Sequence, residues 1–378
     1  MAGTVRNINR KIREKKARVV TAEEMTRIVR DKGPEAAAER VDVVTTGTFG
    51  AMCSSGVWLN FGHADPPIKI ARCWLNDVQA YGGVAAVDTY LGAAQFSETR
   101  GESYGGAHVI EDLVRRRPVD LRAEARCTDC YPRKSIRTRI TIEDLNQAVM
   151  SNPRNAYQKY AAAANSTEKA LRTYMGRLLP RLGNVTYSGA GELSPLSNDP
   201  GLRTIGIGTR IFLGGGTGYV LGSGTQHSPE SGFGTLMLQG DLKAMSPDYL
   251  KAAVFPGYGP SLYIGVGIPI PVLDAESAAA AGISDNEIHT PVFDYGVPLR
   301  DRPVLREVSY AELKSGEIEL GGGRVKTTCL SNLTRAREIA GRLKLWIQEG
   351  RFLLTEPVAP LSSEGGCRPL RESPPAGA

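Results

Sequence analysis

The thiols of this sequence are the side chains with the widest scope for chemistry, and Cys53 stands in distinctive surroundings. It lies in the uncharged segment GAMCSSG, whose small residues let a ligand or another backbone approach closely. His63 follows in NFGHADPP, and an imidazole there is suited to acid–base work. A buried structural cysteine is the competing interpretation of Cys53, and the local sequence alone favours it.

A second thiol motif, C-x-x-C, is formed by Cys127 and Cys130 in RCTDCYPRK. Zinc or an iron–sulfur cluster would need further ligands at suitable spacing, which the sequence lacks, so we predict no metal site. A dithiol of the thioredoxin type would open a helix, whereas YPRKS begins a very short turn at most. Cations favour a reactive thiolate and attract anions, and the motif is flanked by Arg126, Arg133, Lys134, Arg137 and Arg139. An exposed basic turn with two unreactive cysteines is an open alternative.

The glycine-rich stretch GIGTRIFLGGGTGYVLGSGTQHSP, residues 206–229, suggests a ligand loop. It does not match the dinucleotide fingerprint G-x-G-x-x-G, and the absence of any Gly-Lys pair excludes a Walker A loop. A glycine-rich loop can still present backbone N–H groups to a carboxylate. The candidate substrate-binding residues are Arg210, Gly214, Gly215, Gly216 and His227, together with His63. Tight turns in a closely packed sheet explain the same glycines equally well.

The elements that must position these residues predict an α/β protein, with a mixed α+β arrangement as the variant. Residues 4–19 and 21–33 have helical patterns, and Thr21 with Glu24 forms a capping box. VDVVTTGTFG, VDLRAEAR and SIRTRITI are typical of strands, and residues 201–272 of short strands joined by tight turns. Residues 141–150 and the alanine-rich 156–179 are predicted to be helical. A closing helix is predicted in NLTRAREIAGRLKLWIQEG.

Composition and charge narrow the class of protein. A net charge of +6 over 378 residues is mild and gives no reason to expect nucleic acid as a partner. The first residues lack the apolar segment of a signal peptide, and the long uncharged runs are broken by glycine or proline, so no membrane span is expected. Six cysteines in a chain of this length fit reduced thiols. We therefore expect a cytoplasmic protein.

Three stretches together resemble a known family. VDVVTTGTFGAMCSSGVWLNFGH, ARCTDCYPRK and GTRIFLGGGTGYVLGSGTQH are similar to the homocysteine-biosynthesis family of archaea and anaerobic bacteria, described as L-aspartate semialdehyde sulfurtransferases. INRKIREKKARVVTAEEM and FDYGVPLRDRP are similar as well, so the resemblance covers about residues 8–357. It implies one catalytic domain over 1–357, with room for a sub-boundary near 181, and we expect a disordered tail over 358–378 without C-terminal CBS modules.

The resemblance also implies an activity and two essential cysteines. L-Aspartate semialdehyde would become L-homocysteine with sulfur from sulfide and two external electrons. The family's essential cysteines correspond to Cys53 and to Cys130, which by analogy carries a persulfide. The resemblance implies no tightly bound cofactor, and a ferredoxin-type protein as electron donor. It leaves open whether the protein forms a homo-oligomer, and it gives Cys127 no role.

The two thiols suggest a hypothesis for the chemistry. Sulfide and an aldehyde give a thiohemiacetal, which must lose water and gain two electrons to become a thiol. Cys130 would present the sulfur as a persulfide, or attack after sulfide opens a Cys53–Cys130 disulfide, and the external reductant would reset the pair. Their Cα atoms would then have to come within roughly 4–7 Å. The runner-up is a non-catalytic redox sensor or ligand-binding protein that uses the same cysteines; an RNA-associated protein is disfavoured because aromatic residues are not interleaved with the basic ones.

Overall fold

The structure is a computed structural model that describes residues 3–155, 159–194, 199–231 and 234–370. The α-helices over these residues are α1 (Val5–Arg13), α2 (Ala22–Lys32), α3 (Pro34–Arg40), α4 (Gly106–Val114), α5 (Ala275–Ala281), α6 (Tyr310–Lys314) and α7 (Leu333–Gln348). The predicted capping box at the start of α2 is confirmed. Thr21 accepts a hydrogen bond from the Glu24 backbone N–H at 3.3 Å, and the Glu24 carboxylate accepts one from the Thr21 N–H at 2.7 Å.

Strands make up the larger share of the regular structure. In chain order they are β1 (Val19–Thr21), β2 (Val43–Thr45), β3 (Thr48–Met52), β4 (Gly56–Asn60), β5 (Ile70–Leu75), β6 (Val78–Ala80), β7 (Asp88–Gly92), β8 (Phe96–Ser97), β9 (Gly101–Gly105), β10 (Val119–Ala125), β11 (Ser135–Ile140), β12 (Gln147–Asn155), β13 (Lys159–Ala164), β14 (Leu171–Thr173), β15 (Gly176–Leu178), β16 (Val185–Gly189), β17 (Gly206–Ile207), β18 (Arg210–Leu213), β19 (Gly216–Ser223), β20 (Thr235–Asp241), β21 (Leu250–Phe255), β22 (Gly259–Gly267), β23 (Pro269–Pro271), β24 (His289–Asp294), β25 (Val304–Ser309), β26 (Glu317–Leu320), β27 (Gly323–Cys329) and β28 (Ala359–Pro360). The predicted mixed α/β class is confirmed.

The largest sheet carries the strand that leads into Cys53. Its order is β21-β22-β18-β19-β20-β12-β4-β7, and β3 pairs with β22 beside this path. The pairing of β3 is antiparallel, with Met52 opposite Leu262 and Gly50 opposite Ile264. The glycine-rich region therefore folds as the predicted short strands, and β22 fixes the position of the residue just before Cys53.

Two further sheets have six strands each. The first, β11-β10-β5-β6-β8-β9, shares one hydrophobic core with the largest sheet, through buried residues such as Leu59, Leu75 and Ile110. The β10–β11 connection of this sheet contains Cys127 and Cys130. The second, β25-β24-β13-β16-β27-β26, is built around a cluster of its own that includes Val185 and Tyr310.

The closing helix α7 is confirmed and packs against the strands that lead to Cys53. Its Ile339, Leu343 and Ile347 side chains are fully buried in a cluster with Phe49 and Phe212. Gly47, just before β3, lies so close to α7 that a Cβ atom there would overlap the Ala336 carbonyl oxygen and lie 2.9 Å from the Ala340 nitrogen. The glycine thus permits the close approach of helix and strand.

Replacement of Gly47 by alanine is expected to destabilise the protein by about 3 kcal/mol, because the new methyl group meets helix backbone that cannot rotate away. The matched control is Gly341→Ala in α7, where a Cβ atom meets nothing within 4 Å. Removing a helical glycine there should stabilise by roughly 0.5–1 kcal/mol. Urea unfolding of both variants measures the two effects, and equal midpoints would contradict the packing argument.

The prediction of a helix at 141–150 is wrong. Ile142–Asp144 forms one 3₁₀ turn, and the chain then enters β12, which pairs with β4 and β20. The Asp144 carboxylate accepts from the Thr141 N–H at 2.7 Å, so the capping signal is real. The buried residues Ala148, Met150 and Asn152 alternate along the chain, which is the period of a strand.

The prediction of a helix over 156–179 is also wrong for the residues that the structure describes. Residues 156–158 lie outside them. Residues 159–164 form β13, and 171–178 form the β14–β15 hairpin. Ala162, Ala163 and Ala164 are fully buried on a strand that pairs with both β16 and β24. Pairing on both sides outweighs the high helix propensity of alanine, which favours a helix by less than about 1 kcal/mol per residue over other ordinary residues. The first predicted helix is also shorter than expected, because α1 ends at Arg13 and Val19 begins β1.

The end of the chain contacts the glycine-rich sheet as far as it is described. β28 pairs with β17, and Leu361 is largely buried. Residues 371–378 of the predicted tail lie outside the described residues. Over the described part of the chain, no helix combines the length and apolar character needed to cross a membrane.

Candidate active site

Cys53 lies in the wall of a cavity of about 370 Å³. The cavity is bounded by β3 and the turn after it, the end of β16, and the tips of the β14–β15 and β21–β22 hairpins. Three tyrosines, Tyr160, Tyr174 and Tyr258, line it as well. Cys53 is thus open to a cavity and is not sealed in the core.

Two hydrogen bonds of Ser55 hold the turn that carries Cys53. The Ser55 N–H donates to the Met52 carbonyl at 3.3 Å, which closes the turn. The Ser55 hydroxyl accepts from the Asn152 side-chain amide at 2.6 Å, and both residues are buried. Cys53 itself is half-buried and has a free thiol. Its sulfur is therefore positioned by the strand and open to the cavity.

The hydroxyl of Tyr258 contacts the Cys53 sulfur directly, at 3.3 Å. Burial, and next the hydrogen bond to Cys53, raise the pKa of Tyr258 above its ordinary value. The phenol is therefore protonated at neutral pH and has a proton to donate. This contact places a hydrogen-bond donor at the sulfur.

The hydroxyls of Tyr160, Tyr174 and Tyr295 form a chain, and the first two of these tyrosines line the cavity. The Tyr160 hydroxyl donates to that of Tyr174 at 3.5 Å, and the hydroxyls of Tyr174 and Tyr295 are 2.6 Å apart. Burial is the main reason that the pKa of Tyr160 and of Tyr295 is raised. The guanidinium of Arg302 covers the Tyr295 ring at 4.3 Å. The cavity thus has uncharged hydroxyls as its main polar groups.

Among the residues whose side chains the structure describes, no Asp, Glu, Lys, Arg or His lines the cavity. Its apolar wall includes Met52, Phe255 and Leu330. Such a lining keeps the local dielectric low and limits the access of water to a reactive carbon–sulfur group. The arrangement suits the addition of sulfur to a carbonyl and the protection of the product.

Cys127 and Cys130 lie in the exposed turn that joins β10 to β11. Thr128 and Tyr131 pair across this turn, and the Cys130 sulfur is 3.4 Å from the Thr128 hydroxyl. The Cys127 sulfur lies 3.9 Å from the Arg133 carbonyl oxygen. Both thiols are therefore open to solvent.

The structure brings His63 to this turn and not to Cys53. The His63 ring stacks on Tyr131 with centroids 5.4 Å apart. The Arg133 guanidinium donates to the carbonyls of Asp65 and Pro66, the latter at 3.1 Å. The segment after β4 thus supports the Cys130 turn, and the substrate-binding role of His63 stays a prediction.

Cys130 does not line the Cys53 cavity, and no described contact joins the two sulfurs. Cys53 extends from the largest sheet and Cys130 from the β10–β11 connection of its neighbour. The predicted pairing of the two thiols stays a prediction, and direct transfer requires the Cys130 turn to reach the cavity.

The glycine-rich candidates lie elsewhere. The Arg210 guanidinium covers the Phe352 ring at 4.3 Å. Gly214, Gly215 and Gly216 turn from β18 to β19, and a Cβ atom on Gly214 would lie 2.7 Å from the Met245 sulfur. These glycines permit packing, and neither they nor Arg210 line the cavity within the described chain.

His227 supports one wall of the cavity from behind. Its Nδ1 accepts from the Thr235 N–H at 3.0 Å, and its Nε2 lies 2.9 Å from the Ser362 carbonyl oxygen. Thr225, Gln226 and Thr235 line the cavity, whereas His227 does not. Its proposed contact with substrate stays a prediction, while its structural contact with the chain end is clear.

The three tyrosines of the cavity were missed by sequence reasoning. Tyr174 and Tyr258 stand at the tips of two hairpins, and Tyr160 lies on a third element. The segment PGYG at 256–259 was a local signal, since it marks a tight turn that exposes one aromatic ring. Nothing in the sequence connects it to Cys53.

Cys73 differs from the cavity thiol. It is fully buried, and burial raises the pKa of the Cys73 thiol to about 12, so it stays protonated. Over the described residues, no three His, Cys, Asp or Glu side chains come together as metal ligands would.

Comparison with known proteins decides the family. Residues 17–354 match the family described as "Homocysteine biosynthesis enzyme, sulfur-incorporation". The chain belongs to this family. The protein is thus an enzyme of homocysteine biosynthesis, as the sequence resemblance indicated.

Two relatives with assigned activities are similar over nearly the whole chain. The L-aspartate semialdehyde sulfurtransferase of Methanosarcina acetivorans is 60% identical over 98% of this chain and 74% of its own. The enzyme of the same name from Methanocaldococcus jannaschii is 57% identical over 94% of this chain and 72% of its own. No solved structure matches the chain.

Proposed function

We propose that the protein makes L-homocysteine from L-aspartate semialdehyde and sulfide, and that the carbonyl reacts in the Cys53 cavity. The observation that carries the proposal is a thiol in the wall of a cavity of about 370 Å³ whose described lining is uncharged. That volume lies within the range of small-molecule sites. The names of two relatives at 60% and 57% identity support the substrate and the product.

The overall reaction consumes one aldehyde, one hydrogen sulfide, two electrons and two protons, and it yields one thiol and one water. The aldehyde carbon exchanges its oxygen for sulfur and is then reduced. The described side chains supply thiols and hydroxyls for the exchange. The electrons come from outside, and we propose a ferredoxin-type protein as their donor and no tightly bound cofactor.

Sulfur enters at Cys130 in this proposal, because that thiol is exposed and flanked by cations that attract hydrosulfide. Hydrosulfide opens a Cys53–Cys130 disulfide, which leaves a persulfide on Cys130 and a thiol on Cys53 without a net change in electrons. The step requires the Cys130 turn and the Cys53 cavity to meet.

Transfer to the carbonyl follows. The outer sulfur of the persulfide adds to the aldehyde carbon, and the carbonyl oxygen takes up a proton. The Cys53 thiolate attacks the Cys130 sulfur, which restores the disulfide and releases the carbon-bound sulfur. Loss of water then gives a thioaldehyde, which two electrons and two protons reduce to homocysteine. The external electrons reduce the thioaldehyde and not the disulfide, because sulfide reopens the disulfide in the next turnover.

The proposed function is tested with the purified protein under anaerobic conditions. It is incubated with L-aspartate semialdehyde, sulfide and titanium(III) citrate, and homocysteine is measured by chromatography and mass spectrometry. We expect product that requires the protein and all three reagents. Folded protein that yields no homocysteine would overturn the proposal, and a ligand-dependent rise in melting temperature without turnover would favour a binding protein.

A further inference from the structure

The Tyr258 hydroxyl contacts the Cys53 sulfur, and the family resemblance gave this tyrosine no role. It stands at the tip of the β21–β22 hairpin, where Phe255 pairs with Gly259. The Tyr258 N–H donates to the Phe255 carbonyl at 2.9 Å. The turn therefore directs the phenol across the cavity towards the turn after β3.

Side chains from outside the β21–β22 hairpin also hold its tip in place. The Gly257 N–H donates to the Glu102 carboxylate at 2.9 Å. Gly257 has a φ of 76°, and the Arg172 side chain packs against the position that a Cβ atom would occupy. These contacts come from two different elements, the start of β9 and the β14–β15 hairpin. The Tyr258 hydroxyl is thus supported in a fixed position.

The electrostatics of the cavity give this contact its importance. The titratable side chains that face Cys53 from the described lining are Tyr160, Tyr174 and Tyr258, and no described cation or carboxylate lies among them. Among the lining side chains that the structure describes, a Cys53 thiolate therefore has no adjacent cation to stabilise it. Hydrogen bonding to the charged form is the support that these described side chains offer. Burial raises the pKa of Tyr258, so its hydroxyl retains the proton that it would donate.

We propose that Tyr258 is a catalytic residue, whose hydroxyl donates a hydrogen bond to the Cys53 thiolate and so maintains that sulfur as a nucleophile. The proposal rests on the proposed function for the reaction that the thiolate serves. The reactivity of the Cys53 thiol, which this contact would raise, can be measured without substrate. No bond forms or breaks at Tyr258, and its proton stays on the phenol oxygen.

The test measures alkylation of Cys53 by iodoacetamide between about pH 6 and pH 10, peptide by peptide, in the wild type and in Tyr258→Phe. Loss of the donor should slow the reaction of Cys53 about tenfold at neutral pH and move its pH profile about one unit higher. The plateau rate at high pH should not change, because the fully ionised sulfur is equally accessible. A merely structural role would lower the plateau and leave the midpoint in place.

Two controls are built into the experiment. Cys130 of the same molecule is exposed and does not contact Tyr258, so its alkylation profile should be identical in both proteins. Tyr81→Phe removes an exposed tyrosine hydroxyl outside the cavity and should leave Cys53 unchanged. Identical Cys53 profiles in the wild type and Tyr258→Phe would overturn the proposal.

The homocysteine assay separates this proposal from the proposed function. Turnover that is reduced in Tyr258→Phe with little change in KM, together with the shifted profile, supports both. A shifted profile in a protein that makes no homocysteine supports the Tyr258–Cys53 contact and overturns the proposed reaction. Normal turnover with an unshifted profile overturns the role of Tyr258 and leaves the reaction standing.

Discussion

Replacement of Cys53 by alanine is expected to lower the rate of homocysteine formation at least about a thousandfold, as removal of a nucleophile does in other enzymes. The thiol lies in the cavity wall, and in the proposed sequence it releases the transferred sulfur from Cys130. The fold should tolerate the change, because Cys53 is half-buried and its turn is held by backbone and Ser55 contacts. Steady-state turnover and the melting temperature are the measurements.

Cys367→Ala is the matched control for this variant. Cys367 is another half-buried free cysteine, and it does not line the cavity. Its replacement should leave turnover close to that of the wild type. A folded Cys53→Ala protein with more than about a tenth of normal turnover would show that the sulfur of Cys53 is dispensable.

Replacement of Cys130 by alanine should abolish both persulfide formation and turnover, again by at least about a thousandfold. The variant lacks the sulfur that accepts hydrosulfide and cannot form the disulfide with Cys53. Because Cys130 is exposed on a turn, stability should be close to that of the wild type. The assay is run beside mass spectrometry of the protein after mild oxidation and addition of sulfide.

The neighbouring thiol offers a close control. Cys127 is exposed in the same turn and is separated from Cys130 by Thr128 and Asp129. Cys127→Ala should retain turnover and the persulfide on Cys130. The assignment to Cys130 would be contradicted if the Cys127 variant lost activity and the Cys130 variant retained it.

Local signals predicted the fold where an element depends on its own residues. The Thr21–Glu24 capping box starts α2, and the apolar spacing of Ile339 and Leu343 marks the buried face of α7. The signals failed where a strand depends on its neighbours. Ala162 to Ala164 have no strand preference of their own, and β16 and β24 on either side provide their hydrogen bonds.

The candidate site was predictable only in part from the sequence. The family resemblance singled out Cys53, whose local sequence alone favoured a structural cysteine, and the residue lies in the wall of the cavity. The glycines at 214–216 suggested an anion-binding loop, yet they allow a tight turn to pack against Met245. A glycine needed for packing and one needed for a ligand have the same sequence signal.

Long-range contacts account for the rest of the site. Tyr258 reaches Cys53 across more than half the chain, because β3 pairs with β22 in the largest sheet. His63 is closer to Cys53 in sequence, but the strand β4 carries it away to the Cys130 turn. Sheet pairing, which no local pattern specifies, determines which side chains meet.

One isotope measurement tests the central claim that sulfur passes through Cys130 to the aldehyde. The mildly oxidised protein is loaded with heavy-isotope sulfide and freed of excess sulfide. L-Aspartate semialdehyde and titanium(III) citrate are then added together with an excess of unlabelled sulfide. We predict up to one equivalent of labelled homocysteine per chain and loss of the label from the Cys130 peptide. Homocysteine that carries only the unlabelled sulfur would show that free sulfide reacts directly, and would contradict the account.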